Sequence, residues 1–183
     1  MTFDQYITRR PWSDIAISWS RNTGPSNASC LVDEEGPDGD ATYVYTGTVD
    51  NIDEYDSPVD PSLIPDGQLR VYQIIARCCG KAYDPLGANP KCTVAFGLTN
   101  GSTYINFNPL SSFGSVYTTI TMTKTRNPND NTMFTLDQAL IWDLYIMLAA
   151  KVSGTTARVT QLYFDVYLTQ DTRPGRNYVS WTP

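Results

Sequence analysis

The chain has 183 residues, a formal net charge of −6 and no histidine. This length fits one domain with a sizeable core. The lack of histidine removes the usual general base, the usual catalytic triads and most zinc sites, so we expect no enzymatic activity. The basic residues are scattered and form no stripe for nucleic acid, with none between Arg21 and Arg70. No apolar run approaches 18 residues, so we expect no membrane span.

The composition favours strands over helices. Threonine occurs 22 times and tyrosine 12 times, whereas glutamate occurs three times and lysine four times. Branched and aromatic side chains suit a pleated sheet, and 12 glycines with 12 prolines supply turns. The first residues lack the apolar core of a secretory signal, so cytosolic synthesis is the default expectation. In that compartment the four cysteines, Cys30, Cys78, Cys79 and Cys92, are expected to be small buried thiols, with a disulfide of Cys92 as the alternative.

The first half of the chain contains an acidic segment between predicted strands. Alternating side chains predict strands over 14–20, 42–49 and 68–79. Residues 33–66 carry 11 of the 19 acidic residues and no basic one. The densest part holds Asp33, Glu34, Glu35, Asp38 and Asp40. This segment has three interpretations: a calcium site formed by Asp33, Glu35, Asp38 and Asp40, a catalytic carboxylate pair, or a solvated contact loop, which we favour.

The second half predicts a series of short strands and one helix. Strands are expected over 92–98, 103–108 and 115–124, and the Asn100-Gly101 pair predicts the hairpin turn between the first two. Thr135 and Gln138 have the spacing of a capping box and predict a short helix. Strands over 144–152 and 158–168 then form a final hairpin. About eight strands at this spacing indicate a sandwich or barrel.

Several tyrosines occupy the strand positions opposite the inward-facing residues. Tyr43, Tyr45, Tyr163 and Tyr167, together with Tyr117, are candidates for an exposed aromatic face. Such a face stacks on sugars or meets a neighbouring subunit. The alternative, which the sequence favours, is ordinary packing against the second sheet.

Three stretches in this order resemble a group of tailed-bacteriophage virion proteins. They are "RRPWSDIAISWS", "LVDEEGPDGDATYV" and "TRNPNDNTMFTLDQALIWDLYIMLAAKVSGTTARVTQLYFDVYL". The strand "LRVYQIIARCC" stands where that group has an arginine-containing strand, and the resemblance covers most of residues 9–168. Met133 departs from the group, which usually has a tryptophan there.

The resemblance implies an all-β, antiparallel β-sandwich of jelly-roll type with one short helix. We expect a single domain over 1–183, with 1–12 and 169–183 as polar terminal arms. The implied role is a capsid decoration or cement protein, homotrimeric and bound to the major capsid protein or other virion proteins. Its location would be the virion, after assembly in the host cytoplasm. Candidate interface residues are Trp12, Arg173, Arg176 and Trp181. The alternatives are a receptor- or glycan-binding module of the tail or baseplate and, third, a glycosidase-like enzyme.

Overall fold

The computed structural model describes residues 5–22, 32, 42–60, 62, 64, 69–87, 89–109 and 111–170. Within these ranges the chain forms eleven strands and one short helix. The strands are β1 (Gln5–Arg9), β2 (Ser13–Ala16), β3 (Ser20–Arg21), β4 (Val44–Thr46), β5 (Ile52–Asp56), β6 (Leu69–Tyr83), β7 (Cys92–Thr99), β8 (Tyr104–Asn106), β9 (Thr118–Lys124), β10 (Asp143–Lys151) and β11 (Thr156–Gln170). The helix α1 spans Leu136–Leu140.

The strand order is that of a jelly roll. The six-stranded sheet has the order β3-β4-β11-β6-β9, with β1 also paired to β11, and the five-stranded sheet has the order β2-β5-β10-β7-β8. From β4 onward, consecutive strands alternate between the sheets except for the β7–β8 hairpin. All pairings are antiparallel. The predicted fold class, an antiparallel jelly-roll sandwich with one short helix, is therefore confirmed.

The last two strands are connected differently from the predicted hairpin. A tight turn joins them, in which the Thr155 N–H donates to the Val152 carbonyl over 3.1 Å. However, β10 pairs with β5 and β7, whereas β11 pairs with β6, β4 and β1. The chain crosses from one sheet to the other at this turn because each of the two strands has an apolar side facing the shared core.

The core lies between the two sheets and follows the predicted alternation. On β7, Val94, Phe96 and Leu98 are buried. The ring of Phe107 lies 5.3 Å from that of Phe164 on β11, measured between centroids. Helix α1 closes one end, and its capping box is present as predicted, because Thr135 and Gln138 exchange hydrogen bonds of 3.1 Å. None of the described helices is long and apolar enough to cross a membrane.

A β-bulge in β11 changes which side chains share a face. Val159 pairs with Gly80 and Gln161 pairs with Cys79, so Thr160 is the extra residue. A Cβ atom at Gly80 would lie 2.6 Å from the Arg158 carbonyl oxygen, so only glycine fits opposite the bulge. The bulge places Arg158 on the same outer side of the sheet as Tyr163, which strict alternation would not predict.

The prediction that 1–12 forms a polar arm is wrong for the described part of that segment. Strand β1 pairs with the second half of β11, from Gln5 opposite Leu168 to Arg9 opposite Phe164. Ile7 is buried in the core. Backbone pairing and apolar burial together therefore make this segment part of the sandwich. At the other end, Thr169 and Gln170 belong to β11, and residues 171–183 lie outside the described residues.

Arg9, the last residue of β1, has a buried side chain that links three parts of the chain. Its guanidinium donates to the carbonyl oxygens of Ser57 (2.9 and 3.2 Å), Ala139 (3.0 Å) and Trp142 (2.7 Å). Burial lowers the pKa of Arg9 to about 10, although the nearby charges of Asp143 and Asp56 act in the opposite direction. The side chain therefore stays charged at neutral pH and fastens β1 to α1 and to the segment after β5.

A buried carboxyl group organises the crossing from β2 to β3. Asp53, on β5, accepts hydrogen bonds from the backbone N–H groups of Ser18 (2.6 Å) and Trp19 (2.8 Å) and from the Tyr55 hydroxyl (3.0 Å). Burial raises the pKa of Asp53, the three hydrogen bonds oppose that rise, and Asp14 adds to it. Strand β5 was not predicted, because its inward side presents these polar groups instead of an apolar stripe.

Three cysteines are buried free thiols in the described part of the chain, namely Cys78, Cys79 and Cys92. Burial raises the pKa of Cys92 to about 12, so this thiol stays protonated and unreactive at neutral pH. This agrees with the expectation of buried thiols for these three, whereas Cys30 lies outside the described residues.

Candidate functional site

The outer side of the six-stranded sheet carries a continuous set of tyrosines and cations. We call it the tyrosine–arginine face, and it consists of Tyr6, Thr8, Arg10, Tyr43, Tyr45, Arg77, Lys81, Tyr83, Tyr117, Arg158, Tyr163, Asp165 and Tyr167. Cross-strand pairing sets these side chains beside one another: Tyr6 opposite Tyr167, Arg77 opposite Tyr163, and Lys81 opposite Arg158. The face therefore runs the length of β11.

One half of the face is built around Tyr163. The guanidinium carbons of Arg77 and Arg10 lie 5.2 and 5.5 Å from its ring centroid, within cation–π range. Arg77 also forms an ion pair with Asp165, and Asp165 accepts a 2.6 Å hydrogen bond from the Thr8 hydroxyl. Because Asp165 is only 8% exposed, its carboxylate holds both of its partners, Arg77 and Thr8, in fixed positions.

A stacked pair of tyrosines extends this half towards the end of β11. The rings of Tyr6 and Tyr167 are stacked with centroids 5.5 Å apart. Tyr6 is 58% exposed, so it is the most accessible aromatic ring of the face. It offers a broad apolar surface with a hydroxyl group, a combination common in binding sites.

The other half is built around Arg158. Its guanidinium carbon lies 3.6 Å from the ring centroid of Tyr83 and 4.6 Å from that of Tyr43. Lys81 lies beside it, with its ammonium 4.5 Å from the Tyr117 ring centroid. Cations thus lie over the rings of Tyr43, Tyr83 and Tyr117, which orients both the rings and the charges.

The face is basic on an acidic protein. Among the described residues it contains the cations Arg10, Arg77, Lys81 and Arg158 and one carboxylate, Asp165, whereas the whole chain has a net charge of −6. Tyrosine and arginine are the residue types enriched at the centres of protein–protein interfaces, and lysine and glutamate are depleted there. The face has the chemistry of a contact surface for an acidic partner.

The four tyrosines predicted to form an exposed face all lie on this outer side. Tyr43, Tyr45, Tyr163 and Tyr167 are each half-buried by their neighbours and point away from the second sheet. These four tyrosines therefore do not pack against the second sheet, which was the alternative that the sequence favoured. Tyr117 belongs to the same face through its contact with Lys81.

The opposite outer side, on the five-stranded sheet, is acidic. Glu54 accepts a 2.5 Å hydrogen bond from the Tyr104 hydroxyl, and the ring of Tyr104 packs edge-on against Tyr145 at 5.0 Å. Burial and the charge of Asp56 raise the pKa of Asp143, Arg9 lowers it, and Glu54 raises it further. No group of three or more histidine, cysteine, aspartate or glutamate side chains suited to a metal ion occurs within the described ranges.

The remaining predicted site residues are placed as follows. Trp12 is 74% exposed, between β1 and β2, and its backbone N–H donates to the Asp56 carbonyl over 2.8 Å. Arg173, Arg176 and Trp181 lie outside the described residues, as do the calcium candidates Asp33, Glu35, Asp38 and Asp40. Among the interface candidates, the structure therefore describes Trp12 alone.

Sequence reasoning missed all the cations of the face and two of its tyrosines, Tyr6 and Tyr83. Tyr6 and Arg10 fell in the segment predicted to be an arm. Arg77 lay within a predicted strand and shares the outer side with Tyr163, which was a usable signal. Arg158 was missed because strict alternation along β11 assigns it to the inward side. The extra residue Thr160 reverses this assignment and places Arg158 on the outer side.

Comparison with known proteins adds fold similarity only. No protein-family model matches the chain, and no curated protein matches it. Among solved structures, the CBM22-1 xylan-binding domain of Paenibacillus barcinonensis Xyn10C is 7% identical, with 87% of this chain and 92% of that chain covered and a TM-score of 0.40. A CBM4 structure is 12% identical, with 71% and 83% covered and a TM-score of 0.37. A Stig cyclase from Fischerella sp. TAU is 13% identical, with 88% and 84% covered and a TM-score of 0.37. At these TM-scores the fold assignment rests on the strand order of this chain itself.

Proposed function

We propose that the chain is a structural protein of a tailed-phage virion that decorates the capsid and docks through its tyrosine–arginine face. The motif order of the sequence supports the virion assignment through its resemblance to virion proteins. The observation that carries the docking surface is the ordered array of cations over tyrosine rings on the outer side of the six-stranded sheet. The partner is an acidic surface of the major capsid protein or of another virion protein.

The arrangement favours a protein partner over a flat sugar. Stacking on a sugar ring needs a free aromatic face, and at Tyr43, Tyr83 and Tyr117 a guanidinium or ammonium group lies over the ring. A protein surface can instead use the edges of these rings together with the cations. Charge complementarity would then speed association and set the orientation of the bound subunit.

Docking would stabilise the shell by mass action. A subunit that binds the assembled lattice and not its separated parts shifts the equilibrium towards the assembled state. The jelly roll supplies a rigid support for this contact, because β11 and β6 pair along their whole length beneath the face. No chemical step is required of the protein in this role.

The test is add-back to particles that lack the protein. Wild-type protein should bind such particles and raise the temperature at which they release DNA. The double variant Arg10→Glu and Arg158→Glu should bind at least about tenfold more weakly, because two charge reversals on an interface each cost on the order of a kcal/mol or more. The control is Lys91→Glu, an exposed residue outside the face. Complete particles that survive heat no better than deficient ones would refute the stabilising role.

The alternative function is receptor or glycan binding at the tail or baseplate, and one feature favours it. Tyr6 is 58% exposed and stacks on Tyr167, beside the Thr8 hydroxyl and the Asp165 carboxylate. An open ring next to hydrogen-bonding groups can bind a sugar. A glycan array, with and without a calcium chelator, discriminates the two: reproducible glycan binding that Tyr6→Ala abolishes would replace the capsid proposal.

A further inference from the structure

The edges of the two sheets differ in how well they could accept another strand. An edge strand presents unpaired N–H and carbonyl groups and is normally shortened, bulged or interrupted by proline or charge. Strand β3 has two residues, β8 has three, and β2 has four with a register shift opposite Glu54. Strand β1 has five residues and includes Arg9.

Strand β9 has none of these protections over most of its length. It has seven residues, pairs with β6 from Gly80 to Ile74 without a register shift, and its first charged residue is Lys124 at its end. Within the described residues, its backbone pairs with β6 and with no strand on the other side. It is the longest regular edge in the described part of the chain.

The sequence of β9 is symmetric about Thr121. Thr119 and Thr123 are exposed on the outer side, as is Thr121, and Ile120 and Met122 lie between them on the core side. An antiparallel copy centred on Thr121 would set threonine opposite threonine and Ile120 opposite Met122. It would also set Lys124 opposite Thr118, so no like charges meet.

We infer that β9 is a pairing site for a second copy of this chain, which adds to the six-stranded sheet across a twofold axis at Thr121. The pairing is isologous and closed, since the β9 edge of each copy pairs with the β9 edge of the other and none is left for a third copy. It would join the six-stranded sheets of two copies and place their tyrosine–arginine faces side by side on one surface. The dimer differs from the homotrimer that the resemblance implies, and it does not depend on the proposed function, because it concerns only the edge of the sheet.

The test is the mass of the full chain in solution by sedimentation velocity. The wild type should be a dimer. Thr121→Lys places two ammonium groups directly opposite each other and should yield monomers, whereas Ser153→Lys, the same change in an exposed turn, should leave the dimer intact. Thr121→Glu should also be monomeric, and an equimolar mixture with Thr121→Lys should restore the dimer through opposite charges.

A second variant keeps the inference testable if the charged variants fold poorly. In Thr121→Cys the two thiols would lie directly opposite each other at the twofold axis, so mild oxidation should cross-link the dimer after a small adjustment of the pair, and Ser153→Cys should not be cross-linked. A wild type that is monomeric or trimeric, a Thr121→Lys variant that remains dimeric, or loss of the dimer in Ser153→Lys would each overturn the inference.

Discussion

Arg9 and Arg10 are neighbours in the sequence, yet they belong to regions with opposite roles. Arg9 points into the sandwich, is 2% exposed, and donates to three carbonyl oxygens. Arg10 points outward and lies over the Tyr163 ring in the tyrosine–arginine face. The Arg9 guanidinium is fully used within the core, whereas Arg10 belongs to the outer surface of the six-stranded sheet.

This difference separates framework from contact surface. Removing a buried donor leaves buried acceptors unsatisfied, which costs far more than losing an interaction in contact with water. We therefore expect changes near Arg9 to affect folding, and changes in the face to affect binding with little effect on folding. Four predictions test this separation, in order of decreasing effect.

The largest expected effect comes from Arg9→Met. The substitution keeps the apolar stem and leaves the carbonyl groups of Ser57, Ala139 and Trp142 without their donor. At about 1–3 kcal/mol for each unsatisfied group, the free energy of unfolding should fall by about 3 kcal/mol or more. Urea denaturation measures this. Arg10→Met is the matched control and should change it by less than about 1 kcal/mol; equal losses would contradict the separation.

Gly80→Ala should have the next largest effect. The added Cβ would lie 2.6 Å from the Arg158 carbonyl oxygen and 3.1 Å from the Phe113 ring. Relief requires shifting the backbone at the bulge, at a cost of about 1–3 kcal/mol. At Gly114 a Cβ meets nothing within 4 Å, so Gly114→Ala is the control and should be nearly neutral. Thermal unfolding of both variants distinguishes them, and equal melting temperatures would refute the close approach.

The third prediction concerns how the stability of the fold varies with pH. Because it depends on the single carboxyl group of Asp53, we expect a smaller change than for Arg9→Met or Gly80→Ala. Burial raises the pKa of Asp53 above its ordinary value of 3.8, despite the hydrogen bonds from Ser18, Trp19 and Tyr55 and with a contribution from Asp14. The folded state therefore binds this proton more tightly than the unfolded state. The resulting stabilisation is complete below pH 3.8 and is lost as the pH rises through the folded pKa.

Denaturation of wild type and Asp53→Asn across this pH range measures the effect. The wild type should lose stability relative to the variant as the pH rises. Asp130 provides a control of opposite sign, because hydrogen bonds from Thr132 lower the pKa of its carboxyl group. Its contribution is present above pH 3.8 and lost as the pH falls. A difference between wild type and Asp53→Asn that does not vary with pH would show that Asp53 does not titrate as described.

The smallest effect on stability is expected for Arg158→Ala, within the face. The side chain loses its contacts with the rings of Tyr43 and Tyr83, worth about 0.5–1 kcal/mol at a partly exposed site. Urea denaturation should show a change of that size or less. A loss comparable to that of Arg9→Met would make the face part of the framework and weaken its assignment as a contact surface.

Much of the fold was predictable because most strands have one apolar side. β7, β10 and β11 were recognised within two residues at each end from their alternation, and α1 from its capping box. β1 and β5 were not recognised, since their inward sides carry Arg9 and Asp53, which are satisfied by partners distant in sequence. Most tyrosines of the face were candidates for an exposed surface, although packing against the second sheet was favoured, and none of its cations was predicted.

The sequence by itself determined that this is an all-β protein whose tyrosines alternate with inward-facing residues along the strands, because local alternation and composition carry that information. Only the tertiary structure decided that the last two strands lie in different sheets and that Arg9 is buried and Arg10 exposed. It also decided that a single extra residue, Thr160, brings Arg158 onto the face of Tyr163. These outcomes depend on pairing register and on distant hydrogen-bond partners, which no local pattern specifies.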